Sequence, residues 1–181
     1  MQLEKQTKIK IMKAGKIILG MALITIISFT TFNLFISSDY EFERSVEIEA
    51  PIESVYNQVV DLKNWKNWVV WLEQDTSLSV TFSGESSGKG ARMEWTASGG
   101  TKESIEILSA NLEGITTSLN VGNRTQNGFF KFKEIEGGTK VTWGRKGEMP
   151  FFARYMTLFI DKMAGPDYES GLKKLKEICE E

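Results

Sequence analysis

The stretch ESIEILSANLEGITTSLNVGNRTQNGFFKFKEIEGGTKVTW, residues 103–143, alternates apolar and polar side chains between glycines. Phe130 and Phe132, for example, flank Lys131, and the chain then passes through Gly137-Gly138. Because successive side chains of a strand point to opposite faces, this pattern predicts half-buried strands that reverse at the glycines. Strands joined in this way form an antiparallel meander with one face towards the interior and one towards water.

The chain before this stretch supplies further strands of the same kind. Residues 41–50 alternate and end at Ala50-Pro51, and shorter alternating runs occupy residues 78–82 and 92–95. Together with the meander, these runs predict an antiparallel sheet of about seven strands, with one apolar face that has to be covered.

Two regions of the sequence have helical periodicity. Apolar residues recur at helical spacing from Ile52 to Leu62, directly after Pro51, and again from Phe152 to the end of the chain. Pro166 has no N–H group and is expected to kink or break the second helix. We therefore expect an α+β domain in which a curved sheet wraps around a long C-terminal helix.

A membrane segment is expected before the domain. Residues 17–36, IILGMALITIISFTTFNLFI, carry no charge, and twenty helical residues of about 1.5 Å each span the hydrocarbon core of a bilayer. Five lysines precede this run, so the positive-inside rule predicts a single-pass protein with residues 1–16 in the cytoplasm. Residues 37–41 form a short linker, and residues 42–181 form an extracytoplasmic domain. Cleavage of the segment as a signal peptide is the alternative.

The composition excludes several classes of function. The 181 residues include no histidine and one cysteine, so imidazole-based catalytic relays, histidine metal sites and an internal disulfide are absent. The residues after the membrane segment have more carboxylates than basic groups and no basic cluster, which argues against nucleic-acid binding. We expect no metal, no cofactor and no evident catalytic residue.

Six short motifs follow one another along the domain in an order that resembles one protein family. They are Ala50-Pro51 with Val55-Tyr56, Asn64-Trp65-Lys66-Asn67-Trp68 followed by Trp71, Gly88-Lys89-Gly90-Ala91 before Trp95, the run from Gly137 to Trp143, Met149-Pro150-Phe151, and the helix from Asp161 to Lys176. With these motifs the chain resembles the START/polyketide-cyclase-like (SRPBCC) superfamily, most closely its polyketide cyclase/dehydrase and lipid-transport branch. One departure is Trp68-Val69-Val70-Trp71, where relatives tend to have Trp-Ser-Pro-Trp, and the membrane segment lies outside the family's core.

The resemblance implies a helix-grip fold with a deep apolar cavity between the sheet and the C-terminal helix. Relatives use this cavity for lipids, hormones or polyketides, and some catalyse cyclisation or dehydration there. Candidates for the cavity wall in this sequence are Phe82, Met93, Trp95, Phe130, Phe132 and Trp143 on the strands, and Phe152, Met156, Phe159 and Met163 on the helix. Arg44, Arg145 and Tyr155 are candidates for its mouth. Ordinary core packing is the alternative for each of the apolar residues.

The function expected from the sequence is binding of a hydrophobic small molecule or lipid by a membrane-anchored domain. Two alternatives stay open, namely a cyclase- or dehydratase-like enzyme using the same cavity and a non-binding envelope interaction module with a filled core. Trp65, Trp68 and Trp71 either hold the helices against the sheet or lie in the headgroup region of the membrane.

Overall fold

The computed structural model describes residues 2–74, 78–97 and 100–181. The α-helices are α1 (Gln2–Leu34), α2 (Ile52–Val60), α3 (Val70–Gln74) and α4 (Ile160–Glu180), and 3₁₀ helices occupy Leu62–Asn67 and Phe151–Leu158. The strands are β1 (Asp39–Ile48), β2 (Thr81–Ser83), β3 (Arg92–Thr96), β4 (Lys102–Asn111), β5 (Gly114–Val121), β6 (Arg124–Ile135) and β7 (Gly138–Glu148).

The seven strands form one antiparallel sheet in the order β1-β7-β6-β5-β4-β3-β2. Strands β2 to β7 follow one another as the predicted meander, and β1 pairs with β7 at the other edge. α4 crosses the inward face of this curved sheet and contacts β1 and β7. The α+β arrangement predicted from the sequence is therefore confirmed.

The turn between β6 and β7 requires glycine twice. Gly137 has φ of 85°, a conformation that residues with a Cβ atom rarely adopt. At the next position, a Cβ on Gly138 would overlap the carbonyl oxygen of Ile48 in β1. The two glycines thus allow a tight reversal and the close approach of a third strand.

The interior between the sheet and the helices is filled mainly by aromatic rings. Trp65 and Trp68, which follow α2, are at most 1% exposed, and Trp65 Nε1 donates a hydrogen bond of 2.8 Å to the Val59 carbonyl. Their role is therefore to hold the helices against the sheet. Their placement in a headgroup region is excluded because these indoles are buried in the core.

The C-terminal helix differs from the prediction in the position of its break. α4 runs without a break through Pro166. Gly165, the residue before this proline, has no Cβ atom to clash with the proline ring, which is the contact that usually opposes helix at that position. The break occurs earlier, at Phe159, where the preceding 3₁₀ helix ends with a φ of −121°.

This break displaces three predicted cavity residues from the interior. Phe152, Phe159 and Met163 are 64%, 51% and 62% exposed, whereas the sequence placed them on the inward face of one α-helix. The prediction of a single inward stripe is wrong because residues 151–158 turn with about 3.0 residues per turn instead of 3.6, so the assumed spacing does not apply. Met156 alone of the four is half-buried.

The connection between α1 and the domain is shorter than expected. β1 begins at Asp39, inside the segment 37–41 that the sequence indicated as a linker, and α1 ends at Leu34. The window Met12–Leu34 of α1 has a mean hydropathy of 2.0 and is long and apolar enough to cross a membrane. Only residues 35–38 separate it from the sheet.

Replacing Gly171 by alanine should lower the free energy of unfolding by about 1–2 kcal/mol, because overpacking costs more than the gain in helix propensity. A Cβ at this position of α4 would lie 2.9 Å from the Trp143 ring and 3.2 Å from the Trp68 carbonyl oxygen. Neither group can retreat, since both belong to the packed aromatic interior. Ser170→Ala, at the exposed neighbouring position, is the control and should be neutral or slightly stabilising. Denaturant titration of both variants checks this, and equal stability of the two would contradict the proposed packing.

Candidate functional site

The inward face of the sheet centres on Trp143 of β7. Its ring lies 4.0 Å from that of Tyr168 on α4, 5.3 Å from that of Trp68 and 5.6 Å from that of Trp71, measured between centroids. Phe130 of β6 stacks on it at 5.3 Å. The alternation of β7 places Trp143 inward, as the sequence indicated. The four surrounding rings connect it to β6, to α3 and α4, and to the turn before α3.

The other predicted wall residues of the strands are mostly buried in the same interior. Met93, Trp95 and Phe132 are 2%, 5% and 6% exposed. Phe82 lies on the edge strand β2 opposite Met93 but is 39% exposed, because no strand covers that edge among the described residues. These side chains remain candidates for contact with a ligand, but their immediate role is packing.

Tyr155, predicted at the mouth of the cavity, lies against α1 instead. Its ring is 5.8 Å from that of Phe29 in an edge-to-face arrangement, and its backbone N–H donates to Asn33 Oδ1 at 3.2 Å. The cause is again the 3₁₀ geometry of residues 151–158, which turns this side chain towards the end of the first helix.

The two candidate arginines have different environments. Arg44 on β1 forms an ion pair of 2.8 Å with Asp161 of α4 and lines a cleft of about 680 Å³ between β1 and α4. Arg145 on β7 forms no ion pair with any residue that the structure describes. It is therefore the inward-facing arginine that lacks a counter-ion.

The guanidinium of Arg145 is held by aromatic rings and one amide. Its Cζ atom lies 5.4 Å from the Tyr168 ring centroid and 5.9 Å from that of Trp71. Nη1 donates to Gln126 Oε1 on the neighbouring strand at 3.3 Å, whereas Nε is buried without a hydrogen-bond partner. These contacts hold the guanidinium in place but leave part of its donor capacity unused.

Two further buried donors accompany Arg145. Trp68 Nε1 and the Tyr168 hydroxyl have no hydrogen-bond partner in the structure, and both side chains contact Trp143. Buried polar groups are nearly always hydrogen-bonded, because an unpaired one costs about 1–3 kcal/mol. We call Arg145, Tyr168 and Trp68 the donor cluster: Tyr168 contacts Arg145 directly, whereas Trp68 is connected to them through Trp143. Among the described residues, Arg145 Nε, the Tyr168 hydroxyl and Trp68 Nε1 have no acceptor.

The sequence indicated only part of the donor cluster. The alternation of β7 gave Arg145 its inward direction. Tyr168, Leu172 and Leu175 follow helical spacing on α4, so this periodicity could have identified Tyr168 as an inward residue. Nothing in the sequence indicates that Gln126 faces Arg145, because that contact depends on the register between β6 and β7, which pairs Gly128 with Arg145.

Two phenols whose pKa responds to Arg145, those of Tyr168 and Tyr40, are protonated at neutral pH. Burial raises the pKa of Tyr168 to about 12; the positive charge of Arg145 lowers it, while Tyr40 and Asp167 raise it. Burial also raises the pKa of Tyr40, and the charge of Arg145 again opposes the shift. At neutral pH both hydroxyls are therefore available as hydrogen-bond donors.

The donor cluster lies close to the end of the sheet at which α1 enters. In the register of β1 and β7, Phe42 pairs with Arg145 and Tyr40 with Gly147, near the residues that connect to α1. Tyr40 and Gly147 line a cleft of about 460 Å³. A larger cleft, of about 760 Å³, occupies the outer face around Phe129 and Lys131 and includes no residue of α4.

The described residues offer little for acid-base or metal chemistry. They contain no group of three or more His, Cys, Asp or Glu side chains that could hold a metal ion. Burial raises the pKa of the Cys179 thiol to about 11, and Glu180 raises it further, so this thiol is a poor nucleophile at neutral pH.

A comparison with protein families finds one match that covers almost the whole domain. Residues 39–180 match the model described as "Polyketide cyclase / dehydrase and lipid transport". The chain belongs to this family. The match starts at the first residue of β1 and ends at the last residue of α4, so α1 lies outside the family domain. Among curated proteins the sequence finds no match.

Solved structures share the fold at low sequence identity. Protein CV1439 from Chromobacterium violaceum is 14% identical, with a TM-score of 0.56 over 78% of this chain and 97% of that chain. Protein BH1534 from Bacillus halodurans is 16% identical, with a TM-score of 0.56 over 77% and 96%. The di-domain ARO/CYC BexL from the BE-7585A biosynthetic pathway is 18% identical, with a TM-score of 0.56 over 80% of this chain and 51% of that one. These similarities establish the helix-grip architecture.

Alkaline pH should destabilise the protein through Tyr168. Its pKa of about 12 exceeds that of an exposed phenol, so its contribution to stability is complete below about pH 10 and is lost as the pH rises through about 12. The free energy of unfolding should fall by about 3 kcal/mol through this group alone, since one pKa unit corresponds to about 1.4 kcal/mol. In Tyr168→Phe this part of the loss should be absent. Denaturant titration at about pH 8 and at increasing alkaline pH measures the difference; parallel losses in the two proteins would contradict the assignment.

Proposed function

We propose that the protein is a membrane-anchored binding protein for a hydrophobic small molecule or lipid that carries a hydrogen-bond-accepting head group. In this proposal the apolar part of the ligand contacts the inward aromatic surface, and its acceptor group binds the guanidinium of Arg145. The observation that carries the proposal is the inward position of Arg145 between Trp71 and Tyr168 without a carboxylate partner.

The energetic argument concerns the charge of Arg145. A charged group in a water-poor environment is stable when it is paired and hydrogen-bonded, and it is costly when it is not. A carboxylate or phosphate oxygen would give the Nε–H group the partner that it lacks, and hydrogen bonds of this charge-assisted kind are among the strong ones in proteins. The Tyr168 hydroxyl, on the ring that packs against Arg145, is a further donor for the same head group.

Anchoring through α1 would place this site near its ligand supply. The helix is long and apolar enough to span a bilayer, and five lysines precede its uncharged stretch, which supports a cytoplasmic N-terminus and an extracytoplasmic domain. The donor cluster lies towards the end of β7 that leads back to α1. Such tethering raises the effective concentration of a membrane lipid at the site without adding any contact.

A non-binding module with a filled core is the second candidate, and the close packing of the rings favours it. The centroids of Trp143 and Tyr168 are only 4.0 Å apart, and Gly171 of α4 fits against Trp143 without room for a methyl group. A cyclase- or dehydratase-like enzyme has less support, because among the described residues the acceptor beside Arg145 is the Gln126 amide and not a carboxylate that could act as a base.

Native mass spectrometry of the full chain released from detergent micelles tests the binding proposal. The wild-type protein should carry an adduct that disappears on denaturation and contains an acceptor such as a carboxylate or phosphate. Arg145→Gln should lose this adduct, because the shorter amide side chain carries no charge and cannot replace the guanidinium. Arg124→Gln, at the exposed start of β6, removes an equal charge and should retain the adduct.

The stability of each variant has to be measured in parallel. If Arg145→Gln unfolds more easily but keeps the adduct, the arginine serves only to pack against the rings, and the proposed head-group contact is wrong. If the wild-type protein carries no adduct and takes up none from a panel of fatty acids and phospholipids, the filled module replaces the binding protein.

A further inference from the structure

The segment between β7 and α4 exposes an unusual amount of apolar surface. Phe151, Phe152, Leu158, Phe159 and Met163 are 39–64% exposed, and Phe35, at the end of α1, is 87% exposed. We call these six residues the apolar collar. Isolated apolar residues are common on protein surfaces, whereas a concentration of large ones within one short segment marks a surface that contacts another apolar phase or molecule.

The collar adjoins the end of α1 through specific contacts. Asn33, in the last turn of α1, is completely buried; its Oδ1 accepts the hydrogen bond from the Tyr155 N–H, and its Nδ2 donates to the Phe29 carbonyl at 2.9 Å. Thr157 Oγ1 donates to the Ser37 carbonyl at 3.4 Å. These bonds fix the 3₁₀ helix of residues 151–158 beside the residues at which α1 passes into the domain.

We propose that the apolar collar lies in the interfacial region of the bilayer leaflet from which α1 emerges, so that the domain is docked on the membrane. This inference rests on the membrane-spanning role proposed for α1. The lipid surface is the occupant because the collar is continuous with the C-terminal end of the one described helix that is apolar enough to cross a bilayer.

The composition of the collar suits a lipid interface. Phe and Leu side chains of interfacial segments are buried at the boundary between headgroups and acyl chains, and basic side chains among them bind lipid phosphates. Arg154 places its guanidinium 5.4 Å from the Phe151 ring centroid, and its Nε is buried without a partner; Lys162 is exposed beside Phe159 and Met163. A bilayer surface therefore offers acceptors for both cations as well as apolar contact for the rings.

The short connection between α1 and β1 keeps the domain close to the membrane. Residues 35–38 can span only about 13 Å even when fully extended. Once α1 crosses the bilayer, the start of β1 therefore stays close to the headgroups, and the hydrogen bonds to Asn33 and Ser37 keep residues 151–158 beside it. In the docked orientation the cleft lined by Tyr40 and Gly147 lies near the membrane, because these two residues pair at the end of the sheet that adjoins α1.

Depth measurements with a polarity-sensitive fluorophore test the proposal. The full chain with Cys179→Ala is labelled at one introduced cysteine and reconstituted into vesicles of equal parts phosphatidylcholine and phosphatidylglycerol. Phe159→Cys reports on the collar and Ile24→Cys on the middle of α1. Glu136→Cys lies in the turn before β7 and reports on the opposite end of the sheet, since β7 with its 11 residues is about 37 Å long. Lipids with a nitroxide in the headgroup region or deep in the acyl chain quench each label.

The expected pattern is strong shallow quenching and a blue shift at position 159, deep quenching at position 24, and a water-like emission at position 136. Deep quenching at position 24 with a water-like emission at position 159 would overturn the docking proposal and leave the anchor intact. A water-like emission at position 24 would overturn the anchor and docking together. Equal quenching at positions 159 and 136 would show that lipid contact is nonspecific and would also overturn the proposal.

Discussion

The contact between Trp143 and Tyr168 connects the two halves of the domain. Trp143 lies on β7, which is hydrogen-bonded to both β1 and β6, and Tyr168 lies on α4, the helix that covers the sheet. Their centroids are 4.0 Å apart, and Trp68 and Trp71 pack against the same indole. The same pair brings α4 so close to β7 that Gly171 has no room for a side chain, and it places the Tyr168 ring against the guanidinium of Arg145.

The sheet could be predicted from the sequence, whereas the segment after β7 could not. Alternation identifies the strands here because most inward residues, such as Phe130 and Phe132, are followed by a polar one, and the pairing shifts register only once, between Ile107 and Ser109 of β4. The pattern from Phe152 to Met163 also has helical spacing, but it is interrupted by a 3₁₀ helix and a break at Phe159. Local spacing does not reveal this, since contacts with the distant Asn33 and Ser37 hold the segment in place.

The candidate site shows the same division between local pattern and tertiary contact. The inward direction of Arg145 follows from the parity of β7 and was predictable. The different partners of the two arginines were not predictable, because they depend on tertiary contacts. α4 places Asp161 next to Arg44, whereas Arg145 contacts Gln126 and two aromatic rings. Charge in the sequence identifies a candidate, but only the packing of α4 determines which arginine is left without a counter-ion.

The packed rings also determine what kind of ligand the proposed site can accept. Admitting a ligand would require separating rings such as Trp143 and Tyr168, at about 0.5–1.5 kcal/mol for each aromatic pair, and giving up cation–π contacts of about 1–2 kcal/mol. Burying about 200 Å² of apolar ligand surface contributes about 5 kcal/mol, and this gain has to offset both the ring separation and the loss of freedom on binding. An acceptor group on Arg145 adds about 1.5–3 kcal/mol from a charge-assisted hydrogen bond and satisfies the buried Nε–H group at the same time. The balance therefore favours amphipathic ligands over purely apolar ones.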